Sequence, residues 1–172
     1  MLMSESIFLI GPMGAGKTTI GRQLAKILDM HFIDCDHAIE EHTGVKIPVI
    51  FEIEGESGFR KRESAMLDEL TAKPNIVLAT GGGVILSEAN RRLLRSRGHV
   101  VYLQTSVNTQ LERTRNSRNR PLLDTDDRRA RLEEIMRLRE PLYRQEADLI
   151  IDTEGRSPTR AAQKIVEKIN TK

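Results

Sequence analysis

Short apolar runs separated by amphipathic stretches set the rhythm of this chain. Ile7–Ile10 is continuously apolar, the pattern of a strand covered on both faces. Ile20, Leu24, Ile27 and Leu28 then fall at i, i+4, i+7 and i+8, which predicts a helix with one apolar face. His31–Asp36 predicts a second strand ending in two carboxylates, with a short helix after it that stops near Gly44. A helical pattern runs from about Val45 to Leu70, broken around Gly55 and Gly58. Phe59, Met66, Leu67 and Leu70 form its apolar stripe, and Pro74 ends it. Ile76–Thr80 is again continuously apolar and predicts a central strand. A helix follows over Ser87–Arg97 with Gly98 as its stop, and then a strand over His99–Leu103. Thr105 or Ser106 caps a helix through about Asn116. Ser117–Asp127 is polar and reads as a mobile surface loop. A long helix runs from about Asp127 towards Ala147, and Pro141 should end or kink it. Asp148–Asp152 is the last strand. Ser157 and Pro158 are the N-cap and first residue of a final helix carrying Ala162, Ile165, Val166 and Ile169.

Five apolar strands alternating with helices predict an α/β fold with a parallel sheet and helices on both faces. Ligands of such folds sit at the carboxyl ends of the strands. One stretch at such an end carries specific chemistry. Gly11-Pro12-Met13-Gly14-Ala15-Gly16-Lys17-Thr18 stands between the first strand and the first helix, the order a phosphate-binding P-loop needs. Its glycines let backbone N–H groups converge on an anion, and the helix start adds its positive dipole end. Lys17 supplies charge for the β and γ phosphates, and the Thr18 hydroxyl can take a place on Mg²⁺. The stretch implies a nucleoside triphosphate and leaves its use open.

Other rim positions narrow that use. Asp34 and Asp36 would share a face if the strand persisted to both. Such a pair can divide its work, one carboxylate near Mg²⁺ and one accepting a hydroxyl proton. Arg60 and Glu63 stand at i, i+3, so Glu63 can hold Arg60 for bidentate capture of a carboxylate; a plain surface ion pair would look the same. Gly81, Gly82 and Gly83 put bare backbone where a strand meets ligand space. Arg113, Arg115, Arg118 and Arg120, with Arg128, Arg129 and Arg131, suit a phosphate-clamping lid, a solvated face or an RNA patch.

Composition removes other classes. The chain has 172 residues, enough for one domain, and no apolar run near the ~20 residues of a membrane span. The N-terminus lacks a basic segment before its apolar run, so no signal peptide is expected. A net charge of +2 and 3% aromatic residues argue against nucleic acid as a partner. The lone Cys35 excludes an internal disulfide, reads as a small buried residue and fits a cytoplasmic protein. The histidines His31, His37, His42 and His99 show no metal-ligand spacing.

Taken together, the P-loop, Asp34-Cys35-Asp36, Gly55–Arg60, Gly81–Gly83, Arg120-Pro121-Leu122-Leu123 and Arg139-Glu140-Pro141-Leu142-Tyr143 make the chain resemble the shikimate kinases. The resemblance covers about Ile7 to Ile169, in order. It implies the nucleoside-monophosphate-kinase-like P-loop fold, a three-layer α/β/α domain with sheet order 2-3-1-4-5. It further implies transfer of the ATP γ-phosphoryl group to the 3-hydroxyl of shikimate, on the way to chorismate and the aromatic amino acids; the oligomeric state is open, with a monomer as the default expectation. By similarity, Gly14, Ala15, Gly16, Lys17, Thr18 and Thr19 hold phosphates, with Thr18 on Mg²⁺ directly and Asp34 through water. Asp36 bonds the shikimate hydroxyls and is the candidate base. Arg60, Arg139 and the Gly81–Gly83 segment hold the substrate, the two arginines gripping its carboxylate. Arg120 descends with the lid, and Arg113, Arg156 and Pro158 flank the adenine. Residues 34–62 would form a substrate-binding part and 113–126 the lid of a single domain, 1–172. Lys46-Ile47-Pro48-Val49-Ile50 departs from the wording usual in the substrate-binding helix, and altered packing rather than lost activity is expected there.

Two other readings share part of these signals. A gluconate-type sugar-acid kinase would share the P-loop but not the Phe59-Arg60 and Arg120–Leu123 wording. A nucleotide-dependent switch would use Asp152-Thr153-Glu154-Gly155 as a D-x-x-G, yet no Asn-Lys-x-Asp follows, so that match is a decoy.

Overall fold

A computed structural model describes residues 5–116, 121–123 and 125–171. Strands β1 (Ile7–Ile10), β2 (His31–Asp34), β3 (Ile76–Ala79), β4 (His99–Gln104) and β5 (Leu149–Asp152) form one sheet in the order β2-β3-β1-β4-β5. Every pairing is parallel, with Leu9 opposite Ala79 on one side and Val101 on the other.

Alternation along the strands assigns the two faces. Ile7, Leu9, Val77, Val101 and Leu103 point to one side, where α1 (Lys17–Leu28) and α7 (Pro158–Asn170) cover them. Phe8, Ile10, Leu78, Val100 and Tyr102 point to the other, against α2 (Cys35–Thr43), α3 (Ile47–Thr71), α4 (Glu88–Arg97) and α6 (Arg128–Glu146). The continuous apolar runs are therefore a consequence of two-sided burial, each large side chain contributing roughly 1.5–3 kcal/mol. A third, smaller cluster joins Met13 of the P-loop to Leu123, Leu132 and Ile135, with Val107 and Leu111 of α5 (Val107–Thr114) packed on it.

Three local expectations are corrected, and of the two outcomes open at Pro141 a helix end is excluded. β2 stops at Asp34, because the Asp34 side chain accepts the His37 N–H at 3.0 Å and starts α2 there, two residues early. Asp34 and Asp36 thus do not share a strand face. In α1 the inward residues are Ile20, Gly21, Leu24 and Ala25, whereas Ile27 is exposed. A Cβ on Gly21 would stand 2.7 Å from Phe32, so the absence of a side chain there lets β2 pack against the helix. In α3 the break falls at Gly55 alone, with φ 72 and ψ 179. That conformation needs glycine, and the Arg62 guanidinium bridges it by donating to both oxygens of Glu54 at 2.5 and 3.0 Å. Pro141 does not end α6, which continues to Glu146. Pro141 and Arg137, whose carbonyl loses its N–H partner, both lie on the exposed side, where water can replace the bond.

Pro48 sits in the first turn of α3, where no N–H is needed, and the Ile47 N–H donates to Glu40 at 2.9 Å. Ile47 and Ile50 are buried in the core on that side of the sheet.

Candidate active site

The P-loop turns with positive φ at Gly11, Gly14 and Gly16, and α1 begins at Lys17 without a side-chain cap. The first N–H groups of a helix have no intrahelical acceptor, which suits an anion at that end. Lys17 reaches back over the loop, its ammonium donating to the carbonyls of Gly11 at 2.6 Å and Pro12 at 2.9 Å. The Thr18 hydroxyl donates to Asp34 at 2.7 Å, bringing a hydroxyl and a carboxylate oxygen together beside the loop. Hard oxygen donors of this kind fit Mg²⁺, which keeps several waters and takes phosphate oxygens as its remaining ligands. Among the described residues no cluster of three or more His, Cys, Asp or Glu could hold a metal by itself.

A cleft of about 1080 Å³ opens here, wide enough for a nucleotide, lined by Gly14, Gly16, Lys17, Thr18, Thr19, Asp34 and Arg113 among others. Met13, Asp36, Ile47, Gly81 and Gly82 also line an inner chamber with Phe51, Phe59, Arg60, Glu63, Gly83 and Arg139. Five residues line both chambers, so the two adjoin, with the phosphate loop at one and two arginines at the other.

The glycine triplet explains how that inner end is built. A Cβ on Gly83 would stand 2.4 Å from both terminal nitrogens of Arg60. On Gly82 it would meet Arg139 at 3.4 Å, and on Gly81 it would meet Glu63 at 2.6 Å and Asp36 at 3.2 Å. The triplet therefore makes room for the protein's own charged side chains, one or two per glycine. Arg60 is held by Glu63 at 2.9 Å and Glu56 at 3.3 Å, and it lies 5.2 Å from the centre of the Phe59 ring. Arg139 is buried at 5% exposure, and no carboxylate lies within ion-pair distance of it among the described residues. Burying a cation is costly, and Glu63 acts on Arg139 only from beyond ion-pair distance, so a ligand anion suits this end of the chamber.

Around them the environment is tight. Tyr143 donates to the Gly82 carbonyl at 2.5 Å and stacks on Tyr102 with ring centres 5.1 Å apart. Tyr102 in turn donates to Glu140. Burial pushes the Tyr143 hydroxyl up to about 12, with Arg139 opposing, so it acts only as a neutral donor. Burial also raises the Glu63 carboxyl, Arg60 opposing, and its second oxygen has no hydrogen-bond partner among the described residues. Burial pushes the Cys35 thiol well up, helped by Asp36, Glu63 and Asp34, so it is no nucleophile.

Of the residues singled out from sequence, Gly14, Gly16, Lys17, Thr18, Thr19, Asp34, Asp36, Arg60, Gly81, Gly82, Gly83, Arg113 and Arg139 line this cleft. Ala15 is fully buried beneath the loop. Arg156 and Pro158 are exposed in and after the turn before α7 and do not line it. Arg118 and Arg120 lie outside the described residues. Arg128 has a structural task, donating to the carbonyls of Thr114 and Arg115 at the end of α5. Sequence reasoning missed the burial of Glu63, the Tyr143 contact and the hydrophobic seat of the P-loop at Met13. Only the Arg60–Glu63 spacing hinted at the first.

The family model for shikimate kinase matches residues 13–170. A shikimate kinase of Thioalkalivibrio sulfidiphilus is 60% identical over 165 residues, covering 96% of this chain and 87% of its own. One of Halorhodospira halophila is 56% identical over 163 residues, covering 95% and 92%. Among solved structures, a shikimate kinase from Acinetobacter baumannii in complex with shikimate superposes with a TM-score of 0.97 at 49% identity, covering 98% of this chain and 94% of that one.

Proposed function

The chain belongs to the shikimate kinase family, and on that premise we propose that it transfers the γ-phosphoryl group of ATP to the 3-hydroxyl of shikimate. The products are shikimate 3-phosphate and ADP. The observation that carries the acceptor is the inner chamber, where Arg60 and the buried Arg139 stand over Gly83 and Gly82 with Asp36 beside them. Paired guanidiniums suit a carboxylate, and Asp36 suits a ring hydroxyl.

The roles divide along the cleft. The P-loop residues Gly14–Thr19 bind the phosphates of ATP, and Lys17 leaves the Gly11 and Pro12 carbonyls to neutralise charge on the transferred group. Thr18 and Asp34 would hold Mg²⁺, which would supply positive charge against the phosphates of ATP. Asp36 orients the acceptor hydroxyl and takes its proton as the bond to phosphorus forms. Arg60 and Arg139 grip the shikimate carboxylate, and the Gly82 segment lies against the ring. Arg113 flanks the nucleotide, and Arg120 closes on the phosphates. Residues 34–62 act as the substrate-binding part and 113–126 as the lid. No helix among the described residues is long and apolar enough to cross a membrane. A monomer working in the cytoplasm fits this reading.

Arg60→Lys tests the carboxylate grip. A point charge cannot reproduce the bidentate fork, so KM for shikimate should rise by about tenfold or more while KM for ATP holds. An unchanged KM for shikimate would remove Arg60 from the site.

A further inference from the structure

Glu154 stands outside every role assigned above. It follows β5 in the turn before α7, at the position the D-x-x-G decoy occupies. Its carboxylate accepts three hydrogen bonds from the start of α5: from the Thr105 hydroxyl at 2.9 Å, the Ser106 N–H at 2.7 Å and the Thr109 hydroxyl at 2.9 Å. Each partner is at least 45 residues away in sequence. The turn carrying Glu154 is itself fixed. Asp152 accepts the Glu154 N–H at 2.9 Å, and the buried Thr153 donates its N–H and hydroxyl to the Gln104 carbonyl at 2.9 and 3.0 Å. A negative group on the positive end of a helix is favoured as well as hydrogen-bonded.

The other end of the same helix rests on the phosphate loop. Arg113, in the last turn, donates to the Gly14 carbonyl at 2.8 Å. A Cβ on Gly14 would stand 3.2 Å from Gln110 Cα and 3.5 Å from Arg113 Cβ, so α5 lies directly on the loop. A helix of 8 residues is a rod about 12 Å long, and fixing one end fixes the other.

We propose that Glu154 is a positioning residue for the nucleotide: it anchors α5 so that Gln110 and Arg113 hold the phosphate loop at Gly14 in its binding geometry. The inference rests on the reading of that loop as an ATP site, but not on which acceptor is phosphorylated. A purely structural cap would lower stability and leave nucleotide affinity alone. The hydrogen bonds from Ser106 and Thr109 pull the Glu154 carboxyl down to about 2, so the anchor stays charged throughout the working pH range.

The test is ADP binding by calorimetry to the full chain and to Glu154→Ala and Glu154→Gln. The alanine variant should bind ADP about tenfold more weakly, with KM for ATP rising in parallel and KM for shikimate within about twofold. Glutamine keeps an acceptor for the Ser106 N–H and should recover part of the loss. Unchanged ADP affinity in a folded alanine variant overturns the proposal, and so does an equal rise in both KM values. If the alanine variant fails to fold, the glutamine variant decides, with about threefold weaker ADP binding supporting the anchor and unchanged binding refuting it. Wild-type protein that binds ADP but does not phosphorylate shikimate would sink the proposed function and leave this comparison intact.

Discussion

Gly83→Ala isolates the acceptor site from the fold. Gly83 has φ −89 and ψ 0, a conformation alanine adopts without strain. The new methyl would stand 2.4 Å from the Arg60 terminal nitrogens, where ordinary contact begins near 3.4 Å. The guanidinium must therefore retreat by about 1 Å. Because it is the far end of a flexible side chain, the retreat is cheap for folding. Stability should change by less than about 1 kcal/mol, the reduced freedom of the unfolded chain offsetting part of the loss. Binding is another matter. A charged hydrogen-bond pair is worth about 1.5–3 kcal/mol, so losing its alignment should raise KM for shikimate by about 10- to 150-fold. The assay is coupled ADP release at varied shikimate and varied ATP, with a urea midpoint for stability. Gly82→Ala is the internal comparison, since its nearest contact, Arg139 at 3.4 Å, is already ordinary, and its effect should be smaller. An unchanged KM for shikimate in Gly83→Ala would show that Arg60 does not work from the position seen here.

Lys17→Ala should lower kcat/KM by about a thousandfold or more while the circular-dichroism spectrum stays native; retained turnover would remove the P-loop assignment. Asp36→Asn should cut kcat steeply, and a loss seen only in KM for shikimate would leave Asp36 as a binding group rather than the base. Glu154 also makes a pH prediction, because its folded carboxyl sits at about 2, below the ordinary glutamate value. Its contribution to stability is therefore full above about pH 4.5 and lost as pH falls towards 2. The group is exposed, so that contribution stays below about 1 kcal/mol. Glu154→Gln should have a lower urea midpoint than wild type at pH 7, with the gap narrowing by pH 3; a gap that widens on acidification would contradict the assignment.

Much of this architecture is readable from residue patterning because the sheet is covered on both faces. Runs such as Ile7–Ile10 and Ile76–Ala79 have no polar position to confuse the period, and the P-loop is continuous in sequence. Legibility fails where side chains compete with backbone or where small residues set the packing. Asp34 reads as a strand residue until its carboxylate caps α2. Ile27 fits a helical stripe, yet the inward face is chosen by Gly21, whose missing side chain admits Phe32. The glycine triplet announces close approach, but nothing in the chain says that Arg60, Arg139 and Glu63 are what approaches. Glu63 and Glu154 look like ordinary surface acids, since the burial of the first and the partners of the second come from distant segments brought together.

On this reading an ATP site adjoins an acceptor site built for a small polyhydroxy carboxylate. ADP release by the purified chain, measured with shikimate, gluconate and nucleoside monophosphates in turn and with the phosphorylated product located by NMR, tests it most directly. Turnover with shikimate alone is expected, with phosphate on the 3-hydroxyl. Turnover with gluconate or a nucleoside monophosphate and none with shikimate would contradict it.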